Sequence, residues 1–293
     1  MYSFKMLRAI ILMIGLSCAL GAADRTVADH ALDAAQSAYN KTDFKTAVAT
    51  LPNPSDAQSW ELLGKSWFML GEFHKATDAL EKAAQLYPRT SDIQLWLGRA
   101  YGRRAETSFP FSAMGYAVKS REAFERAIQL NPANKEALGD LFDFYLAAPG
   151  IVGGGTEKAR ALMPLIAKYD PEQVFFAQAQ LDEDQKQFGS AEAHLRRAAE
   201  STPLRIGQVL NLARFLALHG KFEESDKEFL RAEQLAPDSP RVIYTRAETY
   251  IKTRRKLPEA RQLLNKYLTA GNLTPDDPPR SEAMKLLKKI EGS

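Results

Sequence analysis

Apolar residues recur along this chain at spacings of three and four positions, which is typical of one face of an α-helix. Residues 57–90 hold two such stripes in succession, namely Trp60, Leu63 and Trp67, then Ala76, Leu80 and Ala83. Gly71 follows the first stripe and Pro88 follows the second, and both are residue types at which helices end. The pattern therefore predicts two helices joined by a short turn.

Small residues in the two stripes indicate how these helices pack. Gly64, Ala76 and Ala83 leave room for a close approach, while larger neighbours fill the space beside them. The segment resembles the tetratricopeptide repeat, in which Trp-x2-Leu-Gly-x2-Tyr leads to an Ala, an aromatic residue or Leu, a second Ala and a Pro. The matching positions are Trp60, Leu63, Gly64, Trp67, Gly71, Phe73, Ala76, Leu80, Ala83 and Pro88.

The same pattern returns along the chain, and the resemblance implies an all-α protein. We expect a right-handed α-solenoid of about six tetratricopeptide helix pairs, followed by a C-terminal capping helix. The cap should shield the last repeat through Ala283, Met284, Leu287 and Ile290. The predicted units are residues 31–54 (partial), 57–90, 91–134 with an insert, 135–171 with an insert, 172–205, 206–239, 240–274 and the cap 281–290.

Two units are longer than the repeat requires, and we expect a longer loop at the edge of each. The first insert is drawn from residues 103–116 and the second contains Pro149 to Gly155. The second resembles a Tyr-x3-Pro-Gly-x2-Gly-Gly-Gly loop of uncharacterised exported bacterial repeat proteins, and that resemblance implies no activity. Its glycines precede a helix, and two interpretations stay open: the glycine amides cradle a phosphate, or the segment is a flexible turn with Thr156 capping the helix.

Residues 1–23 have the pattern of a secretory signal peptide. Lys5 and Arg8 precede the uncharged stretch 9–23, whose 15 residues are fewer than the about 20 that a spanning helix needs. We expect cleavage near residues 21–23 and a periplasmic or secreted protein, with residues 24–293 forming the solenoid. Lipidation of Cys18, which follows Leu16 and Ser17, stays an alternative and would tether the protein to a membrane.

Charge and composition narrow the choice of partner. Without Lys5 and Arg8 the 39 basic residues become 37 against 36 acidic ones, so the net charge falls from +3 to +1. Such a balance gives no reason to expect nucleic acid, and a membrane is expected only if Cys18 is lipidated or the leader retained. The histidines, His30, His74, His194 and His219, show no metal-ligand spacing. We predict no catalytic, metal or cofactor-binding residue.

The concave face of the first helices is the predicted binding site. The resemblance implies that ligands contact positions 2, 5, 9 and 12 of each repeat, and the candidate groove residues are Lys65, Phe68, Leu95, Arg99, Arg103, Phe176, Gln180, Leu210, Arg214, Arg241 and Tyr244. Lys65, Arg99 and Arg103 make its N-terminal half basic, which would suit an acidic segment. A charged face that only meets solvent is the alternative.

The first insert offers a second candidate surface. Two arginines, Arg103 and Arg104, stand near Phe109 and Phe111. The phenylalanines can pack the insert against its own repeat, or they can contact a partner.

The sequence thus favours an exported adaptor that binds a protein or peptide in the groove. The alternatives are a membrane-tethered assembly factor and an enzyme with a site in the inserts. The partner's identity and the oligomeric state do not follow from the sequence.

Export and processing can be tested on the mature protein. N-terminal sequencing of the exported chain should begin between Ala22 and Asp24, because the small residues there fit signal-peptide cleavage. A chain that still carries Met1, or a lipid on Cys18, would contradict this prediction.

Overall fold

The computed structural model describes residues 29–201 and 205–291, so the predicted signal peptide and Cys18 lie outside it. These residues form fifteen α-helices and no strand. None of these helices combines the length and the apolar character that crossing a membrane requires. The helices are α1 (29–40), α2 (Phe44–Thr50), α3 (Ala57–Met69), α4 (Phe73–Leu86), α5 (Ser91–Thr107), α6 (Pro110–Leu130), α7 (Lys135–Ala147), α8 (Thr156–Tyr169), α9 (Val174–Asp184), α10 (Phe188–Ser201), α11 (Ile206–Leu218), α12 (Phe222–Leu235), α13 (Pro240–Lys252), α14 (Leu257–Thr269) and α15 (Arg280–Glu291).

Each odd-numbered helix from α3 to α13 packs against the helix that follows it, and α15 packs against α13 and α14. Successive pairs stack through contacts such as α4 with α5 and α10 with α11. The buried apolar residues lie within and between these pairs along the whole length of the stack. The predicted fold class, an all-α solenoid of helix pairs with a C-terminal cap, is confirmed.

Glycines let the paired helices approach where the sequence predicts it. A Cβ atom at Gly64 of α3 would stand 2.5 Å from Leu80 Cγ of α4. At Gly98 of α5 it would stand 2.6 Å from the Phe124 ring of α6. Only glycine fits at both points unless the facing side chain moves. Gly71, which ends the turn after α3, has a φ of +80°, a conformation that glycine adopts without strain.

The first insert is helical, so the expected loop at residues 103–116 is wrong. It lengthens the α5–α6 pair, in which α5 has 17 residues and α6 has 21. The Tyr116 ring of α6 stacks on the Tyr101 ring of α5 with the ring centroids 6.3 Å apart, and the Arg104 guanidinium lies over the Tyr116 ring at 4.1 Å from its centroid. These contacts join the extended parts of the two helices. Pro110 does not interrupt the pair, since it stands in the first turn of α6, where no N–H partner is needed.

The second insert is a loop held by backbone hydrogen bonds rather than a flexible turn. Its amides donate within the protein, from Gly154 to the Pro149 carbonyl at 3.2 Å and from Gly155 to the Tyr145 carbonyl at 2.7 Å. These groups are therefore engaged and do not face an anion, which argues against a phosphate cradle. Gly155, not Thr156, stands at the N-cap of α8. The Thr156 hydroxyl instead donates to Asp184 at 2.6 Å.

The two ends of the solenoid meet. The Arg280 guanidinium at the start of α15 donates to the Thr42 hydroxyl, between α1 and α2, at 3.1 Å. Ala283 of α15 is fully buried against the last repeat, and Leu287 and Ile290 pack there, as the sequence predicts. Met284 does not: it is 49% exposed and lines the gap between the two ends.

The contact between Gly64 and Leu80 can be tested by enlarging the glycine. Gly64→Ala should lower the free energy of unfolding by about 1–3 kcal/mol, because the added methyl group overpacks the pair. The loss in Gly64→Ala/Leu80→Ala should be smaller than the sum of the two single losses, since both changes act at one contact. Urea unfolding followed by circular dichroism measures all three.

Gly115→Ala is the matched control, because Gly115 lies in α6 with no neighbouring atom within 4 Å of the new methyl group. It should leave the free energy of unfolding unchanged or raise it by up to about 1 kcal/mol. Equal losses in Gly64→Ala and Gly115→Ala would show that the helices do not meet at Gly64.

Candidate functional site

The concave face of the solenoid holds an open cavity of about 1030 Å³. Its walls come from the first helices α3, α5, α7 and α13, from α6 and from the segment between α14 and α15. The predicted groove residues that line it are Lys65, Phe68, Leu95, Arg99, Arg103 and Arg241. Six of the eleven predicted side chains are therefore brought together in one cavity.

Aromatic rings form one wall of this groove. Phe68 of α3 and Trp96 of α5 meet edge to face with ring centroids 5.5 Å apart. Two cations lie over the indole ring, Lys65 Nζ at 5.4 Å and the Arg99 guanidinium at 4.9 Å. The rings and cations thus fix one another. They present an apolar wall with charged groups at its rim.

The cations predicted to make this half of the groove basic are paired within the protein. Lys65 Nζ lies 2.5 Å from the Glu61 carboxylate. Arg99 bonds both Asp140 at 2.5 Å and Glu136 at 2.9 Å. Because each charge already has a partner, little positive charge remains for a ligand.

The cavity as a whole has an excess of acid, so the predicted basic character is wrong. Four of its lining residues are basic and seven are acidic, the latter being Asp92, Glu106, Glu136, Asp140, Asp143, Asp276 and Asp277. Arg103 does not alter this balance, since its guanidinium pairs with Glu106 at 2.5 Å. The prediction considered three cations, which lie on α3 and α5. Two of the acids lie on α5 as well, and the other five come from the neighbouring helix α7 and from the segment between α14 and α15.

Two carboxylates on α7, Asp140 and Asp143, line the groove and have raised pKa values. Loss of water inside the concave face raises the pKa of Asp140 and of Asp143, although bonds from Arg99 and Gln180 favour the charged forms. Gln180 Nε2 donates to Asp143 at 2.8 Å. An added cation near these carboxylates would stabilise their charged forms.

The concave face continues toward the C-terminal repeats. A cavity of about 400 Å³ is lined by Phe176, Gln180 and Arg241. A further cavity of about 350 Å³ adds Arg214 to Phe176 and Gln180. These four predicted residues therefore lie on the same concave face as the main cavity.

Three predicted groove residues serve mainly packing. Leu210 is 3% exposed and belongs to the core between α9, α11 and α13, so its assignment to the surface is wrong. Leu95 is equally buried and reaches only the floor of the cavity. Tyr244 packs on the Tyr267 ring at 5.2 Å, and burial raises its pKa to about 12. The repeat position of a residue predicts its helix face, but stacking of the next pair decides whether that face is covered.

Trp96 and Phe144 line the groove. They were not predicted from the sequence, because they do not occupy positions 2, 5, 9 or 12 of their repeats. Neither occupies a position at which the repeat pattern requires an aromatic residue. An aromatic side chain beyond those needed for packing is the signal that could have identified them. The acidic segment Pro275–Pro279 was missed as well, because it lies outside the repeats.

The tip of the extended α5–α6 pair is a second exposed feature. Phe109 and Phe111 are 86% and 92% exposed. They therefore do not pack the insert against its own repeat, and that interpretation is wrong. The neighbouring arginines stack on rings of the solenoid, with Arg103 over Phe73 at 4.9 Å.

The described residues bring together no group of three His, Cys, Asp or Glu side chains that could hold a metal ion. His194 Nδ1 contacts Asp182 at 2.8 Å, and the Ser190 hydroxyl donates to the same carboxylate oxygen at 2.6 Å. The carboxylate, not the imidazole, is the centre of this cluster. Its bonds join α9 to α10 and act in packing.

Solved structures of tetratricopeptide-repeat proteins are similar to this chain. One from Parabacteroides merdae is 14% identical over 91% of this chain and 99% of that chain, with a TM-score of 0.58. A thermophilic one from Thermus thermophilus is 18% identical over 64% of this chain and 98% of that chain, with a TM-score of 0.52. No protein-family model and no curated protein sequence matches the chain. The solenoid thus has the fold of tetratricopeptide-repeat proteins.

Proposed function

We propose that this protein is an exported adaptor that binds an extended segment of another protein in its concave groove. The cavity of about 1030 Å³, with Phe68, Trp96 and Phe144 beside ionised side chains, is the observation that carries the proposal. Extended peptides are recognised by surfaces that offer pockets for apolar side chains next to partners for polar ones. The helix-pair scaffold supports this, because it holds that surface on rigid elements.

The charge of the groove favours a segment that carries lysine or arginine. The main cavity is lined by seven acidic and four basic residues, whereas the chain as a whole has a formal charge of +3. The acid is therefore concentrated where a ligand would lie. Burial in the groove raises the pKa of the Asp140 and Asp143 carboxyls, so an added cation near them would stabilise their charged forms.

Export belongs to the proposal and is supported by the pattern of residues 1–23. A membrane-tethered assembly factor differs from this proposal only in the fate of that leader, and the mass of the exported protein separates the two. The enzyme alternative places its site in the two inserts. In the structure these extend a helical pair and close a loop on its own carbonyls.

The predicted ligand class can be tested with two matched peptides of about twelve residues, one alternating lysine with leucine and one alternating glutamate with leucine. Fluorescence anisotropy should show binding of the lysine peptide only. In Asp140→Asn/Asp143→Asn its affinity should fall at least several-fold, because charge contacts are worth about 0.2–1 kcal/mol each at a rim and more where water is excluded.

Glu122→Gln/Asp78→Asn is the matched control, since both carboxylates lie on the second helices and are mostly exposed. It removes the same charge and should leave the affinity unchanged, with helicity equal in both variants. Preferential binding of the glutamate peptide, or equal losses in the two double variants, would refute a cation-binding groove.

A further inference from the structure

The segment between α14 and α15 crosses from the last repeat to the first ones. Pro275 and Asp276 line a cavity of about 520 Å³ together with Tyr39, Lys65 and Trp96. Residues Pro275–Pro279 also form part of the wall of the main groove. We call residues 274–279 the strap, because they span the opening between the two ends of the solenoid.

Arg280 donates hydrogen bonds to both ends of the solenoid. Its Nε and Nη2 atoms donate to the carbonyls of Leu268 and Ala270, at 3.2 and 2.8 Å, and so hold the side chain on the C-terminal end of α14. Its Nη1 atom reaches Thr42 at 3.1 Å. The nearest further ion pair across the ends is Arg103 with Glu282, at 3.9 Å.

Apolar packing does not seal the junction. A cavity of about 430 Å³ separates the ends, with Phe44, Met69 and Leu70 on one side and Leu273 and Met284 on the other. The cores of the two ends are separate clusters, one containing Phe44 and Met69 and the other containing Leu273. The ends can therefore part without breaking either core, since the polar contacts named above, the hydrogen bond of Arg280 with Thr42 and the ion pair of Arg103 with Glu282, are each worth only a little net stability.

The ring that the two ends close around the groove limits how a partner can enter. A segment in the middle of a folded protein has no free end to thread, so the ring must open sideways to admit it. The strap contributes Asp276 and Asp277 to the acidic lining. The closed ring is thus the form with the most complete site for a cation.

We propose that Arg280 and the strap form a latch that opens to admit the partner's segment and closes over it. This inference rests on the proposed function, because it concerns access to the same groove. Breaking the latch should separate the ends. Locking it should hinder entry when the groove is empty and exit when the groove is filled.

The first experiment measures the latch without any ligand. Spin labels at Lys45→Cys and Lys285→Cys, two exposed positions on opposite sides of the gap, report the distance between the ends in a full-length Cys18→Ser chain. One short distance is expected, and Arg280→Ala should add a longer one. Arg261→Ala, an exposed arginine of α14, is the matched control and should not. An unchanged short distance in Arg280→Ala would overturn the latch.

The second experiment measures access with a probe in which the lysine–leucine peptide links two folded carrier proteins, so that it has no free end to thread. A bis-maleimide bridge in Cys18→Ser/Thr42→Cys/Arg280→Cys should lower the association rate at least tenfold when formed before the peptide is added. The same bridge formed after binding should lower the dissociation rate by a similar factor. Unchanged rates in both orders would overturn the role in access. A peptide that never binds, while Arg280→Ala still opens the ends, would refute the proposed function and leave the latch standing.

Discussion

The structure depends on the distance between the two helices of each pair. At Gly64 and Gly98 the first helix has no side chain, so Leu80 and Phe124 of the second helix occupy that space. The large side chains beside these glycines then meet at van der Waals distance, and the pair buries a continuous apolar layer. Since each pair leaves apolar surface for the next, the position of every later repeat follows from this spacing.

The groove is a product of that stacking rather than of any one repeat. First helices line the concave face because the second helices lie outside them, and neighbouring first helices place their side chains next to one another. Arg99 of α5 therefore meets Asp140 of α7, at 2.5 Å, across 41 positions of sequence. The electrostatic character of the groove is decided by such encounters, and it changes from basic to acidic when they are included.

The two inserts show that extra residues can be absorbed in different ways. In the α5–α6 pair they prolong both helices, since extending an existing helix adds a hydrogen bond with each residue. In the α7–α8 pair, Pro149 and the glycines that follow it cannot continue α7. There the chain closes a compact loop, in which Gly154 approaches the Ala148 carbonyl too closely for any Cβ atom.

The sequence by itself determined the helix pairs, the turns outside the two inserts and the class of fold, because these follow from contacts at short separation whose spacing is visible in the chain. Nine of the eleven predicted groove residues, including Lys65, Arg99, Phe176 and Arg241, line cavities of the concave face. Only the tertiary structure decided the burial of Leu210, the sign of the charge in the groove and the meeting of Thr42 with Arg280. The burial of Leu210 and most of the charge of the groove depend on how neighbouring pairs stack. The meeting of Thr42 with Arg280 depends on the curvature that accumulates over all the pairs, which brings together residues 238 positions apart. No local pattern records such a distance.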